Sequence, residues 1–446
     1  MSAVSSSTGG LVRGLGLRDA TALVVGSIIG TGIFIKTAGM AALAGSQGWV
    51  LLAWIAGGAL SLTGALAYGE LGSLLPRAGG EYVYLKEAYG NLPGFLYGWM
   101  RFWIGSPGSI AAYAVGAATF LSAVMNLEAW GGRNAWAMGF IVVFSSLNCL
   151  TVKFGGVLQS VMTALKVGMI LFLMGGLLFV SPAAGTVASF GAAPTATSFG
   201  AALLAALWAY DGWNNLPMAG GEVRDAQKNL PRALLFGMIL VLLIYGGINV
   251  AYFRTLPWET VLASNSKMNP AALPIATNAA LTFLGGAAAV VVSYAFVFSA
   301  LGAMNGSILT GARVPFAMAQ DDLFPRALAK ATPRTHVPAR AIILQGLWAC
   351  VLALSGTFDQ LTDYVVFSSW IFYGACGAAV IVLRRKMPDA KRGYRVPGYP
   401  YVPLLFVACT VLLLANTLYT APRESGLGLL IIAAGLPAYG WLQRGR

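Results

Sequence analysis

Residues 27–35 read "SIIGTGIFI", and they place Gly30, Thr31 and Gly32 inside an apolar run long enough to cross a bilayer as a helix. A hydrocarbon interior offers no partner to a backbone group. A helix interrupted there must satisfy its freed N–H and C=O groups against protein or against something bound. The interruption makes two new helix ends. The new N-terminus presents amides and partial positive charge, which suits a carboxylate. The new C-terminus presents carbonyls, which suit an ammonium group. An α-amino acid zwitterion carries both groups on adjacent atoms and fits such a break. Gly30 and Gly32 have no Cβ to hold a guest off the backbone, and Ser27 and Thr31 add hydroxyls. The four-residue spacing of Gly26 and Gly30 also suits the close packing of two membrane helices, which is the competing explanation.

A second run, "AALLAALWAYDGWNNLPMAGGEV" at 201–223, carries Asp211, Gly212, Asn214, Asn215 and Pro217 at membrane depth. Pro217 has no N–H to donate, and Gly212 weakens a helix. Asp211 costs about 2.5–3.5 kcal/mol there on insertion scales. It either reads a cationic side chain of a guest or hydrogen-bonds locally and braces the break. Lys166, in "QSVMTALKVGMILFLMG", is a third polar intruder, with apolar neighbours on both sides. A mid-span ammonium must find partners.

The elements that position these residues are membrane helices. Of the 446 residues 58% are hydrophobic and 10% charged, whereas a soluble domain carries about a quarter charged residues. About twelve apolar runs reach the length a bilayer demands, near 20–44, 48–75, 92–125, 135–152, 156–181, 199–221, 232–254, 281–318, 338–356, 361–384, 400–420 and 426–442. The two interrupted runs are the first and the sixth, each opening a set of five. Paired interruptions at corresponding positions of two halves point to a transporter site. Because five is odd, the second set enters the membrane from the opposite side, giving an inverted repeat that rests on position alone. The expected organisation is a cytoplasmic tail at 1–17, a ten-helix transport core at 18–385 with halves near 18–181 and 199–385, and helices 11 and 12 with a short tail at 395–446.

The net charge of +13 does not signal nucleic acid. With the N-terminus inside, Arg13, Arg18, Arg77, Lys86, Lys153, Arg224, Lys228, Arg232 and the basic groups at 326–340 and 384–395 all fall on the cytoplasmic side, against Arg133, Arg254, Lys267 and Arg423 outside. That is the positive-inside bias of a multi-pass protein of the plasma (inner) membrane with both termini cytoplasmic. The start lacks a short apolar core followed by a small-residue cleavage site, so it reads as a retained tail. The cysteines Cys149, Cys350, Cys376 and Cys409 fall in or beside apolar runs and show neither a disulfide framework nor zinc spacing. His336, the one histidine, has no paired ligand, and there is no phosphate loop or nucleophile elbow. An enzyme, a metal site or a cofactor is not expected.

The segments "VVGSIIGTGIF", "AYGELGSLLPRAGGEYVYLKEAYGNLPGF", "LWAYDGWNN…GGEVRDAQKNLPRAL", "GAMNGSILTGARVPFAMAQDDLFP" and "KRGYRVPGYPYVPLL" together resemble the L-type amino acid transporter family of the amino acid–polyamine–organocation superfamily, bacterial serine/threonine exchangers above all. The likeness runs from about residue 15 to the C-terminus. It implies an all-α membrane fold of twelve helices with a LeuT-like five-plus-five inverted repeat and breaks in helices 1 and 6. It implies that Ser27, Ile28, Thr31 and Gly32 hold the carboxylate and amine of an amino acid. It makes Trp208, beside Ala209, the aromatic that closes over the substrate, and Ile104, Gly105, Ser109 and Ser369 pocket positions on helices 3 and 10. Lys166 matches the family lysine of helix 5 and Tyr245 a tyrosine of helix 7. In that arrangement helix 5 packs on the broken first helix. The carbonyls near Val25 and Gly26 are then the natural partners of Lys166, with Ser299 on helix 8 a weaker one. Sodium-coupled relatives of the fold place a cation there.

The expected function is sodium-independent exchange of neutral amino acids by alternating access. The alternatives are a proton-coupled symporter, a cationic amino acid carrier, a non-transporting amino acid receptor and a channel. The animal light subunits carry a cysteine between helices 3 and 4 that bonds a heavy chain. Here "NLEAWGGRNAW" has none, so a monomer or weak homo-oligomer in lipid is expected. Among the remaining polar residues, Glu70 is expected to pair with a basic residue and Asn305 to make a polar packing contact. The stretch "RAGGEYVYLKEAYG" is expected to lie along the inner surface, and Arg101 to snorkel from helix 3.

Overall fold

The computed structural model describes residues 10–182, 189–266, 268–269, 272–355, 358–420 and 422–444. Among them the regular secondary structure is all helical, apart from one isolated parallel bridge between Leu15 and Val223. The first membrane run is two helices, α1 (Leu17–Ile28) and α2 (Gly32–Ala44), bent by 42° at the residues between them. Then come α3 (Gln47–Leu74), α4 (Glu81–Tyr89) and α5 (Asn91–Met100). A π turn at Arg101–Gly105 joins α5 to α6 (Ser106–Ser122). The helices α7 (Gly132–Asn148) and α8 (Val152–Leu178) follow.

The sixth run is again interrupted. The helix α9 (Ala196–Tyr210) stops at Asp211, and the chain resumes as the short α10 (Asn215–Met218). The long α11 (Ala226–Thr255) follows. Two short helices, α12 (Trp258–Ala263) and α13 (Ile275–Leu284), come next and pack against α2. The rest is α14 (Ala288–Gly311), α15 (Arg313–Gln320), α16 (Ala339–Ser355), α17 (Phe358–Lys386), α18 (Tyr401–Thr420), α19 (Pro422–Ala433) and α20 (Gly435–Arg444). Among the described residues, eight stretches are long and apolar enough to span a bilayer, and the bent α1–α2 pair makes a ninth. At three of the expected spans the helices are shorter: α7 and α16 have 17 residues and α9 has 15.

Lipid offers no hydrophobic drive for helix association, so small residues carry much of the packing. A Cβ at Gly58 would sit 2.7 Å from Leu242, and one at Gly64 would sit 2.6 Å from Phe406. At Gly26 a Cβ would collide with Gln159 and Thr163 of α8. At Gly26 the competing explanation, close helix packing, therefore holds, and it seats α1 on α8. Helix α1 is central, touching α8, α11 and α14.

At one end of the bundle the start of the chain is tied to the end of the sixth run. Leu15 N–H donates to Glu222 O at 3.0 Å, and Arg224 N–H donates to Leu15 O at 2.8 Å. Glu222 in turn holds Arg313 of α15 in a bidentate pair, 2.8 and 2.9 Å, with both side chains buried. Glu70 pairs with Arg384 at 2.6 and 2.8 Å and lies 3.4 Å from Arg392. Asn305 bridges Asn148 and Gln159 at 2.8 and 2.7 Å.

One expectation needs correction and another is sharpened. The stretch that forms α4 is covered on one side: Glu81, Tyr82, Val83, Tyr84 and Leu85 are buried where the helix packs against α5, α15 and α17, while Arg77 and Tyr89 are exposed. Arg101 does not snorkel; it is only 4% exposed. The π turn inserts an extra residue into the helix, and one residue shifts the face by about 100°.

Candidate binding site at the two helix breaks

The first break is short. Ile29 N–H still reaches Val25 O at 2.8 Å, and Gly30 N–H turns back to Ile28 O at 2.7 Å. The carbonyls beyond cannot find intrahelical donors, and side chains from three other helices supply them. The Lys166 ammonium donates to Gly26 O at 2.9 Å, Ile29 O at 2.7 Å and Ser299 O at 2.9 Å. An ammonium has three N–H bonds and no acceptor, so this set fills it. The Ser299 hydroxyl lies 2.8 Å from Gly30 O and 3.2 Å from Ile29 O. Lys166, Ser299 and Tyr245 are all buried. The Val25 carbonyl is taken by Ile29, so the ammonium uses Gly26 and the Ser299 backbone, with Ile29 as the partner that sequence reasoning did not name. A Cβ at Gly302 would come within 2.8 Å of the lysine stem, so a glycine there leaves room for it.

On the far side of the break, Thr31, Gly32 and Ile33 open α2, where a helix leaves its first N–H groups without intrahelical acceptors. The hydroxyls of Ser27 and Thr31 are buried and have no hydrogen-bond partner. Gly30 lies against Tyr113, whose ring a Cβ would approach to 3.1 Å. At Gly32 a Cβ would meet Ala209 at 2.7 Å and Trp208 at 3.2 Å. In this structure the space beside Gly32 therefore holds helix α9. Trp208 is half-buried and lies under the Lys36 ammonium, 4.3 Å from the ring centre, a favourable cation–π contact.

The second break meets the first backbone to backbone. Gly212 has φ +117°, and a Cβ there would lie 2.7 Å from Ser27 O and 3.1 Å from Ile28 N. Both conditions demand glycine. The Tyr245 hydroxyl sits between the breaks, 3.2 Å from Ile28 O and 3.1 Å from Ala209 O, with one proton for the two carbonyls. Asp211 caps α9 in an extended conformation and accepts a hydrogen bond from the Tyr373 hydroxyl of α17 at 3.0 Å. Asn214 donates to Glu81 at 2.9 Å, and Asn215 accepts from Arg101 at 2.7 Å.

The helix 3 and helix 10 candidates fall on elements that adjoin this region. The π turn containing Ile104 and Gly105 contacts α17. Both residues are buried. A Cβ at Gly105 would lie 2.9 Å from the Arg101 stem, so this glycine accommodates the arginine. Ser109 turns its hydroxyl back to Gly105 O at 2.8 Å. The Ser369 hydroxyl is buried and unpartnered, one turn before Tyr373. Sequence reasoning missed Tyr373, Glu81 and the inward course of Arg101. The one available signal was an arginine inside an apolar span, which is a site hypothesis by default.

Residues 15–438 match the amino acid permease family. The chain is 36% identical to the serine/threonine exchanger SteT of Bacillus subtilis over 443 residues, which is 96% of this chain and 97% of that protein. It is 30% identical to the b(0,+)-type amino acid transporter 1 of Mus musculus over 459 residues, 98% of this chain and 91% of the relative. It is 32% identical to the large neutral amino acids transporter small subunit 2 of Homo sapiens over 448 residues, 96% and 80% of the two chains. With its apolar helices and two touching helix breaks, this chain belongs to the amino acid permease family of the amino acid–polyamine–organocation superfamily and is an integral membrane amino acid transporter.

Proposed function

We propose that the protein is a sodium-independent exchanger of neutral amino acids working by alternating access. The observation that carries this reading is the Lys166 ammonium seated on the carbonyls of Gly26, Ile29 and Ser299. A cation is needed where a broken helix gathers carbonyls, and here the chain carries its own. The carboxylate of the substrate binds at the amides of Thr31 and Gly32 and its amine at the carbonyl end near Ile28, with Ser27, Gly30, Ala209, Asp211, Ile104, Gly105, Ser109 and Ser369 around it. Trp208 closes the pocket, and Lys166, Tyr245 and Ser299 link occupancy to movement of the first helix. The name of one relative, a serine/threonine exchanger, supports exchange over net uptake. The same reading places twelve spans in a five-plus-five inverted repeat, with both termini cytoplasmic in the inner membrane and no disulfide-linked heavy chain.

The test is flux of labelled serine, threonine and leucine into proteoliposomes, with and without internal amino acid. The expected result is saturable flux accelerated by internal substrate and unchanged when choline replaces sodium. A strict sodium requirement would overturn the role given to Lys166. Dependence on an inward proton gradient would make the protein a symporter, and selective flux of lysine and arginine a cationic carrier. Saturable binding without flux would make it a receptor, and non-saturating conductance a channel.

A further inference from the structure

Lys36 carries a charge that the proposed transport cycle does not use. It lies in the apolar first run, on α2, four residues beyond Gly32, where that helix opens after the break. Four residues of α-helix rise about 6 Å, so the charge stands little more than one turn from the break. A further stretch of about 12 Å separates it from Ala44, where α2 ends. An ionisable side chain at such a depth is costly, and its partner points to its task. A lysine on a lipid-facing wall would run its stem toward the interface. This one is half-buried, and its ammonium lies 4.3 Å from the centre of the Trp208 ring.

The rotation of α2 that aims Lys36 at α9 is fixed by its neighbours. Thr37 donates to Asn249 of α11 at 2.6 Å, with both side chains buried. Phe34 packs on Phe296 of α14, ring centres 5.9 Å apart. Gly32 and Lys36 are spaced i, i+4 and so share a face of the helix. Both meet the same side chain. A Cβ at Gly32 would lie 3.2 Å from Cζ3 at the edge of the Trp208 indole, while Lys36 covers its face. Trp208 stands in the last turn of α9, which stops at Asp211. The contact therefore joins the helix that follows the first break to the helix that precedes the second.

We propose that Lys36 is a positioning residue for Trp208: its ammonium clamps the indole against α2 and so sets how firmly the amino acid site is closed. This rests on the reading of Trp208 as the side chain that closes that site. The attraction of a cation to a ring face is strongest for tryptophan and grows where water is scarce. Arginine can replace lysine in this task, because a guanidinium also stacks on aromatic faces. Methionine keeps an unbranched apolar stem and loses the attraction.

The experiment measures equilibrium binding of labelled serine, threonine and leucine to the purified protein, and their uptake into proteoliposomes. It uses the wild type, Lys36→Met, Lys36→Arg, Trp208→Leu and the double variant Lys36→Met with Trp208→Leu, with thermal melting to report folding. Lys36→Met should weaken the best-bound amino acid by about three- to tenfold, and Lys36→Arg should hold it within about twofold of the wild type. In Trp208→Leu, which has no ring face, adding Lys36→Met should weaken binding no further. Wild-type affinity in Lys36→Met, an equal loss in Lys36→Arg, or an undiminished effect of Lys36→Met beside Trp208→Leu would each overturn the clamp and leave transport standing. Should Trp208→Leu fail to melt cooperatively, Trp208→Phe takes its place. Its weaker ring face should shrink the effect of Lys36→Met, and an effect as large as in the wild type overturns the clamp. Absence of binding and flux for all three amino acids in the folded wild type would instead sink the reading on which the clamp rests.

Discussion

The two interrupted helices solve one problem in opposite ways. The first break, at Ile29, Gly30 and Thr31, has no ionisable residue of its own, and its carbonyls are met from outside by Lys166, Ser299 and Tyr245. The second break carries Asp211, Asn214 and Asn215 and sends them outward to Tyr373, Glu81 and Arg101. In the first, the donors come from outside and one of them, the ammonium, serves two of the carbonyls by itself. In the second, compensation is spread over three side chains, each with a separate partner. Concentration makes the first break sensitive to a single substitution. Distribution makes the second adjustable, since one contact can change while the others hold the chain.

Lys166→Ala is the sharpest way to break this contrast. It removes the donor shared by Gly26 O, Ile29 O and Ser299 O, leaving Ile29 O with only the Ser299 hydroxyl at 3.2 Å, and leaving a buried polar group unmet costs about 1–3 kcal/mol. Exchange of serine should fall by about 100-fold or more, while thermal melting still shows a folded protein. Wild-type flux in this variant would mean the first break needs no tethered charge.

A smaller but still large effect is expected where the breaks touch. Gly212→Ala places a Cβ 2.7 Å from Ser27 O at a backbone φ of +117°, and residues held in such regions carry about 1–3 kcal/mol of strain. Serine affinity, read as the ligand-induced rise in melting temperature, should drop by about tenfold or more. An unchanged affinity would show that the breaks separate without consequence.

The mildest change is Tyr245→Phe. It removes one hydroxyl shared by Ile28 O and Ala209 O, and one hydrogen bond contributes about 0.5–1.5 kcal/mol net. Exchange should slow by about three- to tenfold. Added to Lys166→Ala the change should cost less than alone, because both residues serve the same carbonyl end. Full additivity would separate the two.

Much of this arrangement was legible because polar residues are rare in an apolar chain. Gly-Thr-Gly within "SIIGTGIFI" marked the first break, and Asp-Gly with Asn-Asn marked the second. The lone lysine of the fifth run marked its own need for carbonyls. What hid was whatever depends on the rotation of a helix about its axis. The π turn at Arg101–Gly105 redirects Arg101 into the bundle, and no spacing rule announces such a turn. Burial of α4 was hidden for a related reason. Its alternation of aromatic and charged residues reads as a surface helix, and only its packing beneath α5 and α17 covers Glu81. The partner of Glu222 lay 91 residues away on α15, beyond any local pattern.

The contact between the breaks is made by main-chain atoms, Gly212 against the carbonyl of Ser27 and the nitrogen of Ile28. Every residue type supplies the same main chain. At this joint a change of side chain at 27 or 28 leaves the touching atoms in place, whereas at 212 any side chain runs into them. What the pocket prefers can therefore change without changing the atoms through which the two helices meet.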